Sequence, residues 1–310
     1  MTTAIITPTD NRQEAIQAVL NSMSSQHSRR AYQRALNNFL DWHTGQGRPP
    51  LTKAIVNSYK NHLEQTGKGP AAINQILSAI RKLVREAADN GAIDPVHATG
   101  IANVKGVKFE TLPAGRSISP GELSALLNAC IDDQTPAGAR DAAMIGLLYG
   151  CGLRRAELVS LDMTDFDPAT SELKILRAKG NKQRTAHVTS GAKAALEDWL
   201  AIRGAFPGPL FLQIRKGGHV KPYRLTTQAV YTILQNRAQQ AGVDDVSPHD
   251  FRRTFVGDLL DAGADIATVQ RMAGHADVST TARYDRRGEE TKRKAAQLLH
   301  VPYIRRTTSI

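Results

Sequence analysis

Two cysteines, Cys130 and Cys151, are all that 310 residues contain, and they form no CxxC and no paired spacing. That excludes a disulfide framework and a cysteine zinc site, and it suits a reducing compartment. No run of about 18 apolar residues occurs, so no membrane partner and no membrane-spanning helix are expected. The opening MTTAIITPTDNRQEA has neither a basic n-region nor an apolar core of signal-peptide length, and a cytoplasmic location is expected. GxxxxGKS phosphate loops, HExxH zinc spacing, internal repeats and low-complexity tracts are also missing, and neither cofactor nor metal is expected.

What is present is basic charge. Forty Lys and Arg against 29 Asp and Glu give a formal net charge of +11, which favours a polyanionic partner, above all nucleic acid. The 41% hydrophobic share is ordinary for a globular chain, and the length allows two domains with real cores.

After a patternless start (1–15) the signals are helical. Tyr32, Leu36, Phe39 and Leu40 recur at helical spacing in SRRAYQRALNNFLDW. Thr52 is placed to cap a second helix, with Ile55, Val56, Tyr59 and Leu63 on one face and Gly67 as its stop. A third carries the stripe Ile73, Ile76, Leu77, Ile80, Leu83, Val84 and Ala87, ended by Gly91. With no strand pattern before residue 105, residues 16–104 read as a small all-helical domain. Its polar faces carry Arg29, Arg30, Arg34, Lys60, Lys68, Arg81, Lys82 and Arg85. An ordinary solvated face would look the same, but acidic residues are sparse among them, which favours a phosphate-contacting surface.

Residues 105–116 have linker composition. A second domain over 117–288 opens with Ser119, Pro120 and Glu122, the signature of a capped helix start. A largely apolar helix follows in ARDAAMIGLLYGCGL. Leu173 and Ile175 then alternate with polar residues, and Gly180-Asn181 lies between two short extended runs, a β-hairpin pattern. The chain then returns to helices. The expected fold is mainly α with a small antiparallel β-sheet (α+β), followed by a tail over 289–310.

The segment GHADVSTTARYDRR sets Tyr284 among polar residues, nine positions after His275. Taken alone, a surface tyrosine on a helix explains it. If Tyr284 attacks a nucleic-acid phosphodiester, the nonbridging oxygens need fixed positive charge and the leaving oxygen needs a proton. Arginine suits the first task, lysine or histidine the second. The second domain holds such residues. Arg154 stands at a helix start after a glycine break, poorly placed for the helix dipole, so Glu157 or an anionic ligand should compensate it. His249 and Arg252 share a face of the helix opened by Ser247-Pro248, where a capping histidine and an acid-paired arginine would look the same. Lys179 sits at the hairpin tip, where a lysine is ordinarily just solvated.

GLRRAEL, the KGNK hairpin, HDFRRTF, MAGH and Tyr284 nine residues after His275 together resemble the tyrosine site-specific recombinases, the phage-integrase and Xer-type family. The motifs cover Ser117 to Arg287, and the helical first domain looks like the family's SAM-like core-binding domain. The resemblance implies that Arg154 and Arg252 clamp the scissile phosphate and His249 hydrogen-bonds it and manages the tyrosine proton. It implies that Lys179 protonates the departing 5′ oxygen and His275 contacts a nonbridging oxygen. Tyr284 would form a 3′-phosphotyrosyl link from an exposed position, and Glu157 would orient its neighbours. Metal, nucleotide and other cofactors have no part in the implied chemistry.

The implied partners are double-stranded DNA with a short inverted-repeat core site and further copies of the chain, as dimer and tetramer. Accessory DNA-bending proteins are admitted as well. The apolar residues of the tail suit docking on a neighbouring protomer. Asp250-Phe251 and Asp285-Arg286-Arg287 depart from common family choices and lean toward a mobile-element role over Xer-type dimer resolution. With the helical domain starting early, no additional arm-binding domain is expected. A type IB topoisomerase-like enzyme and a catalytically silent DNA-binding regulator are the competing readings.

Overall fold

The apolar stripe of α4 (Pro70–Asp89) organises the first half of the chain. Ile73, Leu77, Ala79, Ile80, Leu83, Val84 and Ala87 are all buried, the large ones contributing about 1.5–3 kcal/mol of transfer free energy each. Around α4 pack α1 (Thr9–Asn21), α2 (Gln26–Gly45), α3 (Lys53–Gln65) and α5 (Pro95–Ala102). Thr52 caps α3 as its sequence position suggests, accepting from the Ile55 amide at 3.4 Å. Phe39, Trp42 and Tyr59 pack ring on ring between α2 and α3. Burial, aided by the Asp41 carboxylate, pushes the Tyr59 phenol up to about 12.

This computed structural model describes residues 9–108, 115–176 and 183–285, with residues 288, 293, 296, 297 and 302 beyond. The chain divides into two units, Met1–Leu112 and Pro113–Ile310. Two expected boundaries need correction. The frayed start was expected to reach residue 15, but α1 begins at Thr9 and buries Ile16, Val19 and Leu20. Its three core residues are too few in a polar segment to register as a stripe. The linker is shorter than 105–116. Asn74 holds the Val107 backbone through both its amide atoms, at 2.9 and 3.0 Å. At the other end, the Arg116 amide donates to Asp250 Oδ1 at 2.9 Å. The docking tail, 289–310, lies almost wholly outside the described residues.

In the second unit the capping box is formed. Ser119 Oγ accepts from the Glu122 amide and Glu122 Oε2 from the Ser119 amide, which starts α6 (Pro120–Ile131). The core element is α7 (Pro136–Gly150), buried over most of its length and packed on α6, α9 (Ser190–Arg203) and α11 (Pro248–Asp261). Gly146 allows the α7–α9 approach, since a Cβ there would lie 3.1 Å from the Ala192 backbone. After α8 (Arg155–Ser160), strands β1 (Phe166–Asp167), β2 (Glu172–Ile175) and β3 (Arg184–His187) form an antiparallel sheet in that order. β2 and β3 pair as the hairpin pattern predicts, Leu173 opposite Ala186 and Ile175 opposite Arg184. The turn with Gly180-Asn181 lies outside the described residues.

A second sheet was not expected. β4 (Leu212–Arg215) and β5 (His219–Arg224) pair across Gly217-Gly218, both at positive φ. The chain then runs through α10 (Thr227–Ala241), α11, α12 (Ile266–Ala273) and α13 (Val278–Ala282). No described helix is long and apolar enough to cross a membrane. Cys130 and Cys151 are free and buried, and burial pushes each thiol up to about 12.

Candidate active site

The first turn of α11 aims the site. Its N-cap Ser247 donates both N–H and Oγ–H to Asp250, at 2.8 and 2.6 Å, and Pro248 fixes the first helical position. Phe251, Phe255 and Val256 anchor the buried face. That anchoring sends Arg252 inward, where it is 3% exposed. Arg252 donates Nη1 to the Gly152 carbonyl at 2.7 Å and Nη2 to the Ala273 carbonyl at 2.5 Å. One guanidinium thus ties together the segments that follow α7 and end α12. Burial, then repulsion from Arg154, lowers Arg252 to about 9, and it remains a cation at neutral pH.

Both turns need glycine. Gly152 has φ +56°, and a Cβ there would be 2.3 Å from the Phe255 ring. Gly274, in the left-handed region at φ +64°, caps α12, and its carbonyl accepts from Arg154 Nη2 at 2.9 Å.

Arg154 occupies the N-cap of α8, an unfavourable place for a cation. Glu157, one turn on and 1% exposed, compensates it. Glu157 Oε1 accepts from Arg154 Nη1 at 2.6 Å, and Oε2 from the Arg154 amide at 2.9 Å. Glu157 has a second cation. Arg184, at the start of β3, donates Nη2 to Oε2 at 2.8 Å. Arg184 was not recognised in the sequence. Its one signal was the alternation that puts Arg184 on the same side of β3 as Ala186, which packs on the core.

Tyr284 follows α13. It was expected to be exposed, but it is half-buried against the small cluster that includes Phe255 and Val269. A phenol whose ring is packed keeps a fixed aim, while its hydroxyl reaches His249 Nε2 at 3.3 Å. The guanidinium of Arg253 stands over the ring at 5.6 Å. The His275 ring lies 6.2 Å away, its Nδ1 paired with buried Thr281 Oγ1 at 2.9 Å. That pair leaves His275 Nε2 for a ligand, and Nε2 is a donor when the Thr281 hydroxyl donates to Nδ1. Burial and then Arg252 lower both histidines, His275 to about 4, so both are neutral at pH 7.

The fold therefore gathers Arg154, Glu157, His249, Arg252, His275 and Tyr284, with Arg184 and Arg253 as unanticipated neighbours. Lys179 lies outside the described residues. The basic residues of the first unit separate into two kinds. Arg30, Arg34 and Arg85 are exposed, and Lys60 is half-buried. Arg29 Nε donates to the Met23 carbonyl at 2.6 Å, Arg81 Nη2 to the Val104 carbonyl at 2.6 Å, and Lys82 pairs with Glu86 at 3.4 Å. Those three already serve the fold. Among the described residues no cluster of three or more His, Cys, Asp and Glu is placed to hold a metal ion.

The chain matches the Phage integrase family over residues 116–290 and the Phage integrase, N-terminal SAM-like domain over residues 19–91. Tyrosine recombinase XerD of Lacticaseibacillus casei is 32% identical over 263 residues, covering 82% of this chain and 85% of its own. Tyrosine recombinase XerC of Alcanivorax borkumensis is 34% identical over 275 residues, covering 84% and 83%. Among solved structures, XerH site-specific recombinase bound to palindromic difH substrate superposes with TM-score 0.69 at 18% identity, over 96% of this chain and 91% of that one. The Tn1549 transposon integrase in complex with transposon right end DNA gives 0.68 at 16%, over 92% and 99%. At such identities these two show a shared fold.

The chain belongs to the phage integrase family of tyrosine recombinases. It is an enzyme of site-specific recombination, cleaving and rejoining DNA.

Proposed function

We propose that Tyr284 is the nucleophile and that the chain exchanges strands between two short inverted-repeat core sites through a 3′-phosphotyrosyl intermediate. The single observation that carries this is the Tyr284 hydroxyl at 3.3 Å from His249 Nε2, on the same helix turn as buried Arg252. A neutral imidazole beside a phenol is a base positioned for its proton. The phenol oxygen attacks phosphorus as its proton passes to His249. The P–O5′ bond breaks, and the 5′ oxygen takes a proton from Lys179. A 5′ hydroxyl from another strand reverses these steps and reseals the break.

Arg154 and Arg252 supply fixed positive charge to the nonbridging oxygens, with His275 Nε2 as a further donor. Removing one such preorganised donor costs about 10²–10³ in rate. Exposed Arg30, Arg34 and Arg85, with Lys60, contact the DNA backbone. Arg29, Arg81 and Lys82 belong to the same basic set but contribute through the fold. Two protomers occupy the inverted arms of one site and two sites meet in a tetramer, in the integration or excision of a mobile element. The Asp285-Arg286-Arg287 segment supports the mobile-element reading, while the Xer relatives keep dimer resolution as the alternative biological role.

The test is covalent capture. Wild-type protein and Tyr284→Phe are incubated with fragments of the source DNA, denatured, and the protein-linked DNA is sequenced. The expected result is one short inverted repeat recovered by wild type and absent with the variant. Equal capture by Tyr284→Phe removes Tyr284 from the mechanism.

A further inference from the structure

Two arginines share the Glu157 carboxylate, Arg154 and Arg184. Arg154 is 28% exposed at its side chain, whereas Arg184 is only 8% exposed. Arg184 is costly to keep there. Its Nε and Nη1 are buried with no hydrogen-bond partner among the described residues. Idle buried donors carry a desolvation penalty that an apolar side chain of similar size avoids. The fold also makes room for this cation. A Cβ on Gly274 would stand 2.8 Å from Arg184 Nε and 3.0 Å from its Cδ. A side chain kept at such cost and touching one polar group is kept for its effect on that group.

The effect follows from charge. Arg154, Arg184 and Arg252 carry three positive charges and Glu157 one negative, leaving two net positive (3 − 1 = 2) with both histidines neutral. A phosphodiester carries one negative charge. Attack by the phenol, whose proton passes to His249, places a second negative charge on the phosphoryl oxygens, so the fixed positive charge of the pocket matches the pentavalent state better than the substrate, as catalysis requires. Without Arg184 the net falls to one, and the Oε2 that Arg184 held is left to Arg154 alone.

We infer that Arg184 is a positioning residue for DNA cleavage: by holding one oxygen of Glu157 it leaves Arg154 an uncommitted, charged edge for the scissile phosphate. The inference rests on the proposed phosphoryl-transfer reading of this site. Arg184 acts through Glu157 and Arg154 and touches no reacting atom.

The test uses full-length protein and a nicked duplex bearing the captured site, so that cleavage accumulates as phosphotyrosyl product. Rates are taken at saturating DNA, and affinities on the matching Tyr284→Phe background. Arg184→Gln is expected to slow cleavage about 10²-fold, the scale of a misplaced catalytic group, while DNA affinity moves less than about 3-fold. Arg184→Lys keeps the charge and is expected to recover about 10-fold of that loss. The deciding variant is Glu157→Gln with Arg184→Gln, expected to cleave faster than Arg184→Gln alone because the unshared carboxylate is gone. Arg184→Gln at the wild-type rate, or a double variant at or below the product of the two single losses, overturns the inference. Should Arg184→Gln fail to fold, as read by thermal melting, Arg184→Lys decides: cleavage about 10-fold below wild type is expected, and the wild-type rate overturns the inference. Covalent product from Tyr284→Phe, or none from wild type, marks failure of the underlying reading instead.

Discussion

Replacing Gly152 by alanine tests how tightly the turn behind Arg252 is built. Two separate costs can be worked out. Gly152 sits at φ +56°, and an L-residue in the left-handed region costs roughly 1–2 kcal/mol. The added Cβ would lie 2.3, 2.6 and 2.9 Å from three atoms of the Phe255 ring, which is only 6% exposed. A packed ring has nowhere to swing, and overpacking of this kind costs about 1–3 kcal/mol. Gly242→Ala is the control: it has φ +64° and nothing within 4 Å of the added carbon, so only the backbone cost applies. For a unit of about 150–250 residues each kcal/mol is worth about 2–4 °C of melting temperature. Gly152→Ala should therefore melt about 2–12 °C below Gly242→Ala, read by circular dichroism or calorimetry on the full-length protein. The Gly152 carbonyl also anchors Arg252, so the folded variant should cleave more slowly at low temperature while Gly242→Ala does not. Equal melting temperatures for the two variants would refute the packing argument.

The lowered histidines give a pH dependence of stability. Unfolded His275 takes up its proton near pH 6.5, whereas folded His275 resists until about 4, so the unfolded state binds more protons in between. Stability is full above about pH 6.5 and falls as pH drops toward 4; the urea midpoint should follow, and His275→Gln should flatten the slope. Arg81→Ala should destabilise the protein by about 1–3 kcal/mol by stranding the Val104 carbonyl. Arg34→Ala should leave stability intact and lower the salt slope of DNA binding by about 0.9. Loss of the Arg253 cation over Tyr284 should slow cleavage about 2- to 30-fold, the equivalent of about 0.5–2 kcal/mol, with Arg253→Lys intermediate. An unchanged Arg253→Ala rate would mean the ring is aimed by packing alone.

Local rules wrote the legible parts of the chain. The Ser119–Glu122 capping box, the Thr52 cap and the α4 stripe each depend on residues within a turn or two, and each formed. The β2–β3 pairing was legible for the same reason. The candidate site was legible through motif order, which stands in for contacts between distant positions, such as Arg252 with Gly152. What escaped depended on tertiary partners. Arg184 has no motif of its own among the features read, and its meaning lies in a carboxylate 27 positions away. Arg253 stands out only through Tyr284, whose ring lies beneath its guanidinium. The β4–β5 pair hides in a basic run whose exposed faces give no apolar alternation.

α13 has five residues, too few to be helical by itself. It persists because Asp277 caps it and because Thr281 is tied to His275. The reactive hydroxyl therefore rides on a turn whose upkeep depends on the same histidine that faces the pocket. Arg154 and Arg252, by contrast, hang on carbonyls between larger elements. Undoing one turn costs a fraction of undoing the domain, so the turn that carries Tyr284 can open while the carbonyl contacts of Arg154 and Arg252 stay in place. Hydrogen exchange at Tyr284 should therefore run ahead of exchange at Arg252.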